Sequence, residues 1–278
     1  MGGSLGLALQ AAGFEGKLLA LARDPSDLEA AIETGAVHSG ATRPTDLPKD
    51  IGLFCLATPL SVMPGMLRQL APILDEAAIV TDVGSVKVPV VNAAGSTLSH
   101  PCRFVGAHPM TGFNQRGVSF ARADLFHGKT VILTPVSATA PEAVQCVRSM
   151  WELTGAHVTE MSPAAHDETI ARVSHLPHVV SALTLLLAAR QEGLHVAAPG
   201  LIQMTHIASR DPDLWQDILT SNREQVRVAI SQLVDDLKQL DTWLERHEDG
   251  NVHRLLARAV QIRNEWLAEK FQRPDWID

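Results

Sequence analysis

The sequence predicts an α/β protein, a Rossmann-type, mostly parallel sheet covered by helices and followed by an all-α domain. Three observations carry that expectation. Short apolar runs alternate with helical stretches through residue 161. The runs are apolar on both faces, as strands between two helix layers are. After Ser162-Pro163 no convincing strand remains, and the chain reads at helical period to its end. The expected division is an α/β domain over 1–161 and a helical domain over 162–278.

The elements follow in order. "GSLGLALQAAG" reads as a short helix closed by Gly13. "KLLALA" (17–22) is an apolar strand that ends in the Asp24-Pro25 turn, and "PSDLEAAIETGA" is a helix ending at Gly35. "IGLFCLATP" is a strand stopped by Pro59. "SVMPGMLRQLAPIL" starts a helix with Pro64 near its first turn, where a missing N–H is tolerated. "AIVTDVGSVK" is strand then turn, and "CRFVGAHPM" and "KTVILTP" are two more strands. A helix from Pro141 to Leu153 and the short strand "HVTEM" complete the region. Ser162 then caps a helix with Pro163 at its first position. The same logic at Asp211-Pro212 opens a run expected to continue as one helix for about nine turns, until "EDGN" at Glu248. "VHRLLARAVQIRNEWLAEKF" makes one more helix. A helix of that length usually packs against another helix, often across a subunit boundary.

Composition excludes several classes. With 23 basic against 31 acidic residues and no Lys/Arg-rich block, a nucleic-acid partner is not expected. The longest apolar stretch, "VVSALTLLLAA" from Val179, falls short of the ~20 residues of a membrane span. No basic segment precedes a hydrophobic one at the N-terminus, so neither a membrane nor a secretory path is expected. Cys55, Cys102 and Cys146 are odd in number and scattered, and read as reduced thiols of a cytoplasmic protein. Among the 12 histidines, His175 and His178 have no third ligand at helical or hairpin spacing, so no metal site is expected.

The opening "MGGSLGLAL" looks like the second half of a dinucleotide fingerprint, where glycines make a tight turn and let the backbone approach pyrophosphate. Gly2, Gly3, Ser4 and Leu5 are therefore candidate cofactor contacts, although Gly-Gly-Ser also occurs in plain turns. The strand ending "ALARDP" places its tip about where the ribose-reading residue belongs, ~20 residues on. Arg23 rather than an acid stands there, which suits a 2′-phosphate and admits NADP beside NAD. The bland reading has Arg23 as a solvated turn residue and Asp24 as a helix cap. The apolar strand and first glycine of the fingerprint are not in the sequence. Met1 is expected to be an internal methionine of a longer natural chain; failing that, the sheet is expected to be irregular near Gly2 and cofactor affinity weak, because two neighbours lose a central ladder.

Three segments end apolar strands and begin turns: "LATPL" at 56–60, "TDVGSVK" at 81–87 and "FVGAHPMTG" at 104–112. They share the carboxyl edge, where open α/β sheets bind ligands. With "GGSLGLAL", "HDETIARVSHLPH" and "DPDLWQDILTSNR", they occur in the order and spacing of the prephenate/arogenate dehydrogenase family of tyrosine biosynthesis, which the chain resembles over nearly its whole length. The resemblance implies a Rossmann-type domain followed by a helical dimerisation domain of the 6-phosphogluconate-dehydrogenase-like kind, and hence a homodimer. It implies a small-molecule substrate, NAD or NADP, and oxidative decarboxylation of prephenate to 4-hydroxyphenylpyruvate or of arogenate to tyrosine. The length leaves no room for the ACT or chorismate mutase modules that some relatives carry.

Residue by residue, His108 matches the family's catalytic histidine, and an imidazole of ordinary pKa ~6.5 suits a base working near neutral pH. It is expected on a turn between Gly106 and Met110, pointing into the cleft; the bland reading is a strand-end histidine. Ser85 resembles the family serine that contacts the substrate hydroxyl and the nicotinamide region, a role compatible with a plain helix N-cap. Lys87 reads as a helix-start residue or a cofactor neighbour. On the cofactor side stand Thr58, Pro59 and Gly84, and on the substrate side Thr111. His178 resembles the family's substrate-contacting histidine; it shares a face with His175 if the segment is helical, and Pro177 should kink that helix and free a carbonyl. Trp215 matches the pocket tryptophan, or is a buried helix anchor.

One segment departs from the family. In "IQMTHIASRDP", Ile202 and Gln203 replace an Arg-Asp pair, and His206 replaces the arginine that clamps the substrate's ring carboxylate. Imidazole does not replace a bidentate guanidinium. Three outcomes stay open: His206 binds the carboxylate as a cation, Arg210 one helical turn on reaches the site, or the substrate differs. The alternatives to the enzyme are a catalytically impaired relative that binds a nucleotide or metabolite, and a related β-hydroxyacid or imine reductase. "GAHPM" argues against the latter, since those reductases usually place a Lys or Asp on the helical domain.

Overall fold

The computed structural model describes residues 1–112, 115, 117–190 and 194–271. The chain forms two compact units, Met1–Arg223 and a second from Glu224 onward. The first contains α1 (Gly2–Ala11), β1 (Leu19–Leu21), α2 (Pro25–Glu33), β2 (Ser39–Ala41), β3 (Leu53–Leu56), α3 (Met63–Leu70), β4 (Ile79–Asp82), α4 (Val88–Thr97), β5 (Phe104–Pro109), β6 (Thr130–Thr134), α5 (Pro141–Leu153) and β7 (His157–Glu160). It ends with α6 (Pro163–Ile170), a π turn over Ala171–His175, α7 (Leu176–Ala188), α8 (Pro199–Thr205) and α9 (Pro212–Ser221). The second unit runs in α10 (Arg223–Glu245) and α11 (Asp249–Phe271).

The sheet is in two pieces. β1 and β2 pair in parallel, and β3-β4-β5-β6-β7 form a five-stranded sheet in which the β5–β6 pair alone is antiparallel. No ladder joins β1 to β3 among the described residues. One face is packed by Leu5 and Leu9 of α1 and Val147 and Trp151 of α5 against Val105, Val131 and Leu133. The other is packed by Met63 and Leu67 of α3 and Val90 and Ala94 of α4 against Leu56 and Val80. Each such side chain contributes roughly 1.5–3 kcal/mol by leaving water. Gly6 lets α1 lie close to the chain leaving α2: a Cβ there would sit 2.0 Å from the Ala36 carbonyl oxygen.

Several expectations are corrected. The long helix expected from Pro212 is two helices, broken at Asn222 (φ −108°, ψ 29°). Asn222 is buried, and its amide donates to the Asp167 carbonyl at 2.8 Å; apolar spacing over Ile218, Val226 and Ala229 runs through the joint and hides it. β2 and α8 are elements the sequence did not signal, and α4 was signalled at its start alone, by Ser85 and Lys87. The π turn lies just ahead of Pro177, so the helix accommodates the proline by widening before it. The helical run Pro163–Ala188 is 26 residues long, and by length and composition alone it passes as a candidate membrane span; the apolar stretch from Val179 understates it. Its inward face carries His166, Asp167, His175, His178 and Ser181, all buried.

Candidate active site

The site is built on the far end of β5. β4 pairs with β5 through Val80↔Phe104 and Thr81↔Val105, after which β5 continues alongside β6, with His108 opposite Ile132. His108 therefore stands on a strand that outruns its parallel neighbour, not on a turn as expected. Beyond β4 the backbone of Ala107 still needs partners. The Asp82 carboxylate accepts from the Ala107 N–H (3.1 Å), and the Lys87 ammonium donates to the Ala107 carbonyl (2.7 Å). Asp82 and Lys87 are ion-paired and fully buried. This pair substitutes for the strand residues that β4 lacks, and holds β5 straight while it presents His108. Burial lowers the Lys87 pKa, and the neighbouring Asp82 opposes that shift. Lys87 thus stands at the start of α4 with its ammonium turned to Asp82 and the Ala107 carbonyl.

Behind His108 lies a chain of buried polar groups. His108 Nδ1 is 2.9 Å from His166 Nε2, and His166 Nδ1 is 2.7 Å from Asp167 Oδ1. The Asp167 carboxylate also accepts from the backbone N–H of Lys87 (2.7 Å) and of Val88 (2.8 Å). It therefore caps α4 from another helix, in the place where Ser85 was a candidate cap; Ser85 is half-buried in the turn between β4 and α4. Asn222 bridges the Asp167 carbonyl and His175 Nδ1 (3.2 Å). Burial first, then the neighbouring His166, Lys87 and His175, holds the His108 pKa well below the usual histidine value. His175 is pushed down to about 4, chiefly by burial.

On the substrate side, His178 stacks face to face on Trp215, ring centroids 3.6 Å apart, and His175 meets the same indole edge-on at 6.2 Å. His178 Nδ1 is buried with no hydrogen-bond partner among the described residues. Burial and then the charge of Arg210 lower its pKa. Arg210 is half-buried and donates from Nη1 to the Gly112 carbonyl (3.0 Å), in the turn that follows β5. His206 is exposed and its Nδ1 bonds the Gln203 carbonyl of its own helical segment. Arg210, not His206, is thus brought to the histidine cluster. Thr111 is half-buried and its hydroxyl makes a long contact with the Met1 sulfur (3.9 Å), which joins the β5 end to the start of α1.

The cofactor candidates divide. Gly2 and Gly3 lie in the first turn of α1, where N–H groups have no helical partner. A Cβ on Gly2 would sit 3.0 Å from Ala57, in the loop that follows β3. In that loop Pro59 is exposed, and the buried Thr58 hydroxyl has no partner among the described residues. Ser4 and Leu5 are corrected: the Ser4 hydroxyl is buried and accepts from the Arg122 N–H (3.1 Å), and the Leu5 N–H is taken by the Met1 carbonyl (2.9 Å). Gly84 donates its N–H to Asp82 (2.8 Å), so it shapes the turn. Arg23 is exposed at the end of β1, while Asp24 caps α2 through Ser26 N (2.9 Å). Open first-turn amides, an orphaned hydroxyl and a cation at the strand tip fit a dinucleotide. Among the described residues no group of three or more His, Cys, Asp or Glu is placed to hold a metal.

Sequence reasoning missed His166, Asp167, Asn222 and Asp82 as members of the site. His166 and Asp167 lie inside a quoted motif, but nothing local signals a contact across 58 residues to His108.

Residues 5–160 match the family model "Prephenate dehydrogenase, nucleotide-binding domain", and residues 162–258 match "Prephenate dehydrogenase, dimerization domain". A prephenate dehydrogenase of Bacillus subtilis is 30% identical over 270 residues, 95% of this chain and 73% of that protein. A crystal structure of Aquifex aeolicus prephenate dehydrogenase in complex with hydroxyphenyl propionate and NAD+ superposes with a TM-score of 0.88 at 31% identity, covering 95% of this chain and 93% of the other. A Synechocystis arogenate dehydrogenase gives 0.84 at 29% identity, covering 95% and 96%.

Proposed function

The chain belongs to the prephenate dehydrogenase family, and from that premise we propose that it oxidatively decarboxylates a cyclohexadienol, prephenate or arogenate, in tyrosine biosynthesis. When bound, the nicotinamide of NAD or NADP accepts the hydride from C4 of the ring. As the C4–H bond breaks, the 4-hydroxyl gives its proton to His108 and becomes the oxygen of the aromatic product. The bond to the ring carboxylate breaks in the same sense, its electron pair completes the aromatic ring, and CO2 leaves. His108 suits the proton step because burial, ahead of its polar neighbours, holds its pKa well below the usual histidine value, so that the ring can take a proton near pH 7. Arg210 is the residue we assign to the ring carboxylate, since it is the guanidinium whose charge is felt by His178. The unpartnered Nδ1 of His178 and the indole of Trp215 supply a polar contact and a flat apolar wall. Ser85 and Thr111 flank the hydroxyl on the turns after β4 and β5.

The division at 161/162 into a nucleotide-binding domain and a substrate and dimerisation domain is supported by the last strand ending at Glu160 and by Ser162 capping α6. Three free cysteines fit a cytoplasmic setting. The observation that carries the function is the buried His108 at the end of an extended β5 that packs with α1.

The test is formation of NAD(P)H, followed by absorbance, with each substrate and each cofactor. Turnover is expected with at least one pairing. His108→Asn should lower kcat by about 10²–10⁴-fold while cofactor affinity is kept. A folded, cofactor-binding protein that oxidises neither substrate would sink the proposal.

A further inference from the structure

We propose that Asp167 and His166 are positioning residues that fix the ring tautomer of His108, leaving Nε2 as the nitrogen that accepts the substrate proton. The inference rests on His108 being the base, and it adds which atom of His108 acts and what sets it.

The argument runs outward from the carboxylate. Asp167 accepts two backbone N–H bonds at the start of α4. Oδ1 accepts from Lys87 and Oδ2 from Val88, so both oxygens are acceptors, and a carboxylate in that arrangement only accepts. The 2.7 Å contact from His166 Nδ1 is therefore an N–H donated to Asp167 Oδ1. A neutral His166 then carries its lone pair on Nε2. That atom lies 2.9 Å from His108 Nδ1, which must be the donor. With its proton on Nδ1, His108 keeps a lone pair on Nε2.

The opposite pattern needs His166 cationic, donating from Nε2. That would put a second cation into a fully buried cluster already holding the Lys87 ammonium, with His175 close by.

The arrangement has a consequence in the reaction. When Nε2 takes the hydroxyl proton, His108 becomes an imidazolium whose Nδ1–H points at a lone pair backed by a carboxylate. No further bond needs to break, and charge balance is kept by Asp167. Asn222 holds the Asp167 backbone and His175 from behind, so the dyad is fixed by packing as well as by its own bonds. Neither His166 nor Asp167 need touch the ligand.

The test reads the tautomer directly, on the ¹⁵N-labelled wild-type protein by long-range ¹H–¹⁵N correlation at pH 7. His108 is expected to show a protonated Nδ1 and a bare Nε2. A proton on Nε2 overturns the inference whether or not the enzyme turns over. Asp167→Asn is the companion variant: its amide can donate to His166 Nδ1, which reverses both tautomers. In it kcat should fall by about 10³–10⁴-fold, as when a buried carboxylate is lost behind a catalytic histidine, with KM and cofactor affinity held within about threefold. Wild-type kcat in the folded variant also overturns the inference. If the variant does not fold, the wild-type spectrum still decides. The expected tautomer in a protein that oxidises neither cyclohexadienol would leave the relay standing and remove the proposed reaction.

Discussion

Asp82 and Lys87 pair where no side-chain surface is exposed, and the backbone they hold is the stretch of β5 that ends in His108. Removing one partner strands the other, so Lys87→Met should destabilise the protein by about 3–5 kcal/mol, read from urea unfolding. Adding Asp82→Asn to it should recover part of that loss, and a double variant as unstable as the sum would count against the pairing. The buried histidines make a second residue-level prediction. His108 and His175 titrate below their ordinary value in the folded protein, so the unfolded chain takes up protons first as pH falls. Their stabilisation is complete above about pH 6.5 and is lost as acid titrates from there toward the folded values, about 4 for His175. Each pH unit in that window removes about 1.4 kcal/mol per such group, and the urea midpoint should drop between pH 7 and pH 5. An unchanged midpoint would show that neither ring is buried neutral. His108 was legible in sequence as a candidate, because the family motif that carries it closes an apolar run. Its support was not, because Lys87, His166 and Asp167 look like ordinary polar residues at helix starts, and only the fold reveals that water never reaches them.

At the scale of elements, proline and glycine punctuation made most boundaries legible: Pro141 opens α5, and Gly13 and Gly35 stand at positive φ just past α1 and α2. Legibility failed where pattern and packing disagree. "SGA" of β2 is too short and too glycine-rich to read as a strand, yet it ladders with all three residues of β1. α4 opens on Val88 and a β-branched pair, Val90-Val91, with no cap of its own, since its cap comes from α6. The joint between α9 and α10 depends on one amide. Asn222→Ala removes a buried donor from the Asp167 carbonyl and should cost about 1–3 kcal/mol, with a loss of kcat larger than any change in KM. An equal effect on both would argue that the joint shapes the ligand site directly. The ladders make a prediction of their own. Amide hydrogens of Val80 and Thr81, laddered on both sides, should exchange at least about tenfold more slowly than those of His157–Glu160 of β7, which pairs with β6 alone among the described residues.

For the whole molecule, net charge −8 keeps the surface self-repelling, yet the second unit shows much apolar surface. Leu237 and Leu244 of α10 and Leu256, Val260 and Ile262 of α11 are all exposed in the single chain. Such a surface is what a helical dimer covers. Leu256→Glu with Val260→Glu, one turn apart, should convert a dimer to a monomer in analytical ultracentrifugation while the NAD(P)-binding unit keeps its fold. A variant that sediments as wild type would place the interface elsewhere. The long helical period of this region was legible in sequence; the extent of its uncovered face was not, because periodicity reports which residues share a side and not what lies against it. The placement of two candidate residues has a last consequence. Arg23, at the tip that meets the adenosine ribose in our reading, follows β1, whereas His108, to which we assign the acid–base work, lies on β5. Carried on separate strands, the two can be varied apart, so coenzyme preference can be redesigned at residue 23 without retuning the proton chemistry.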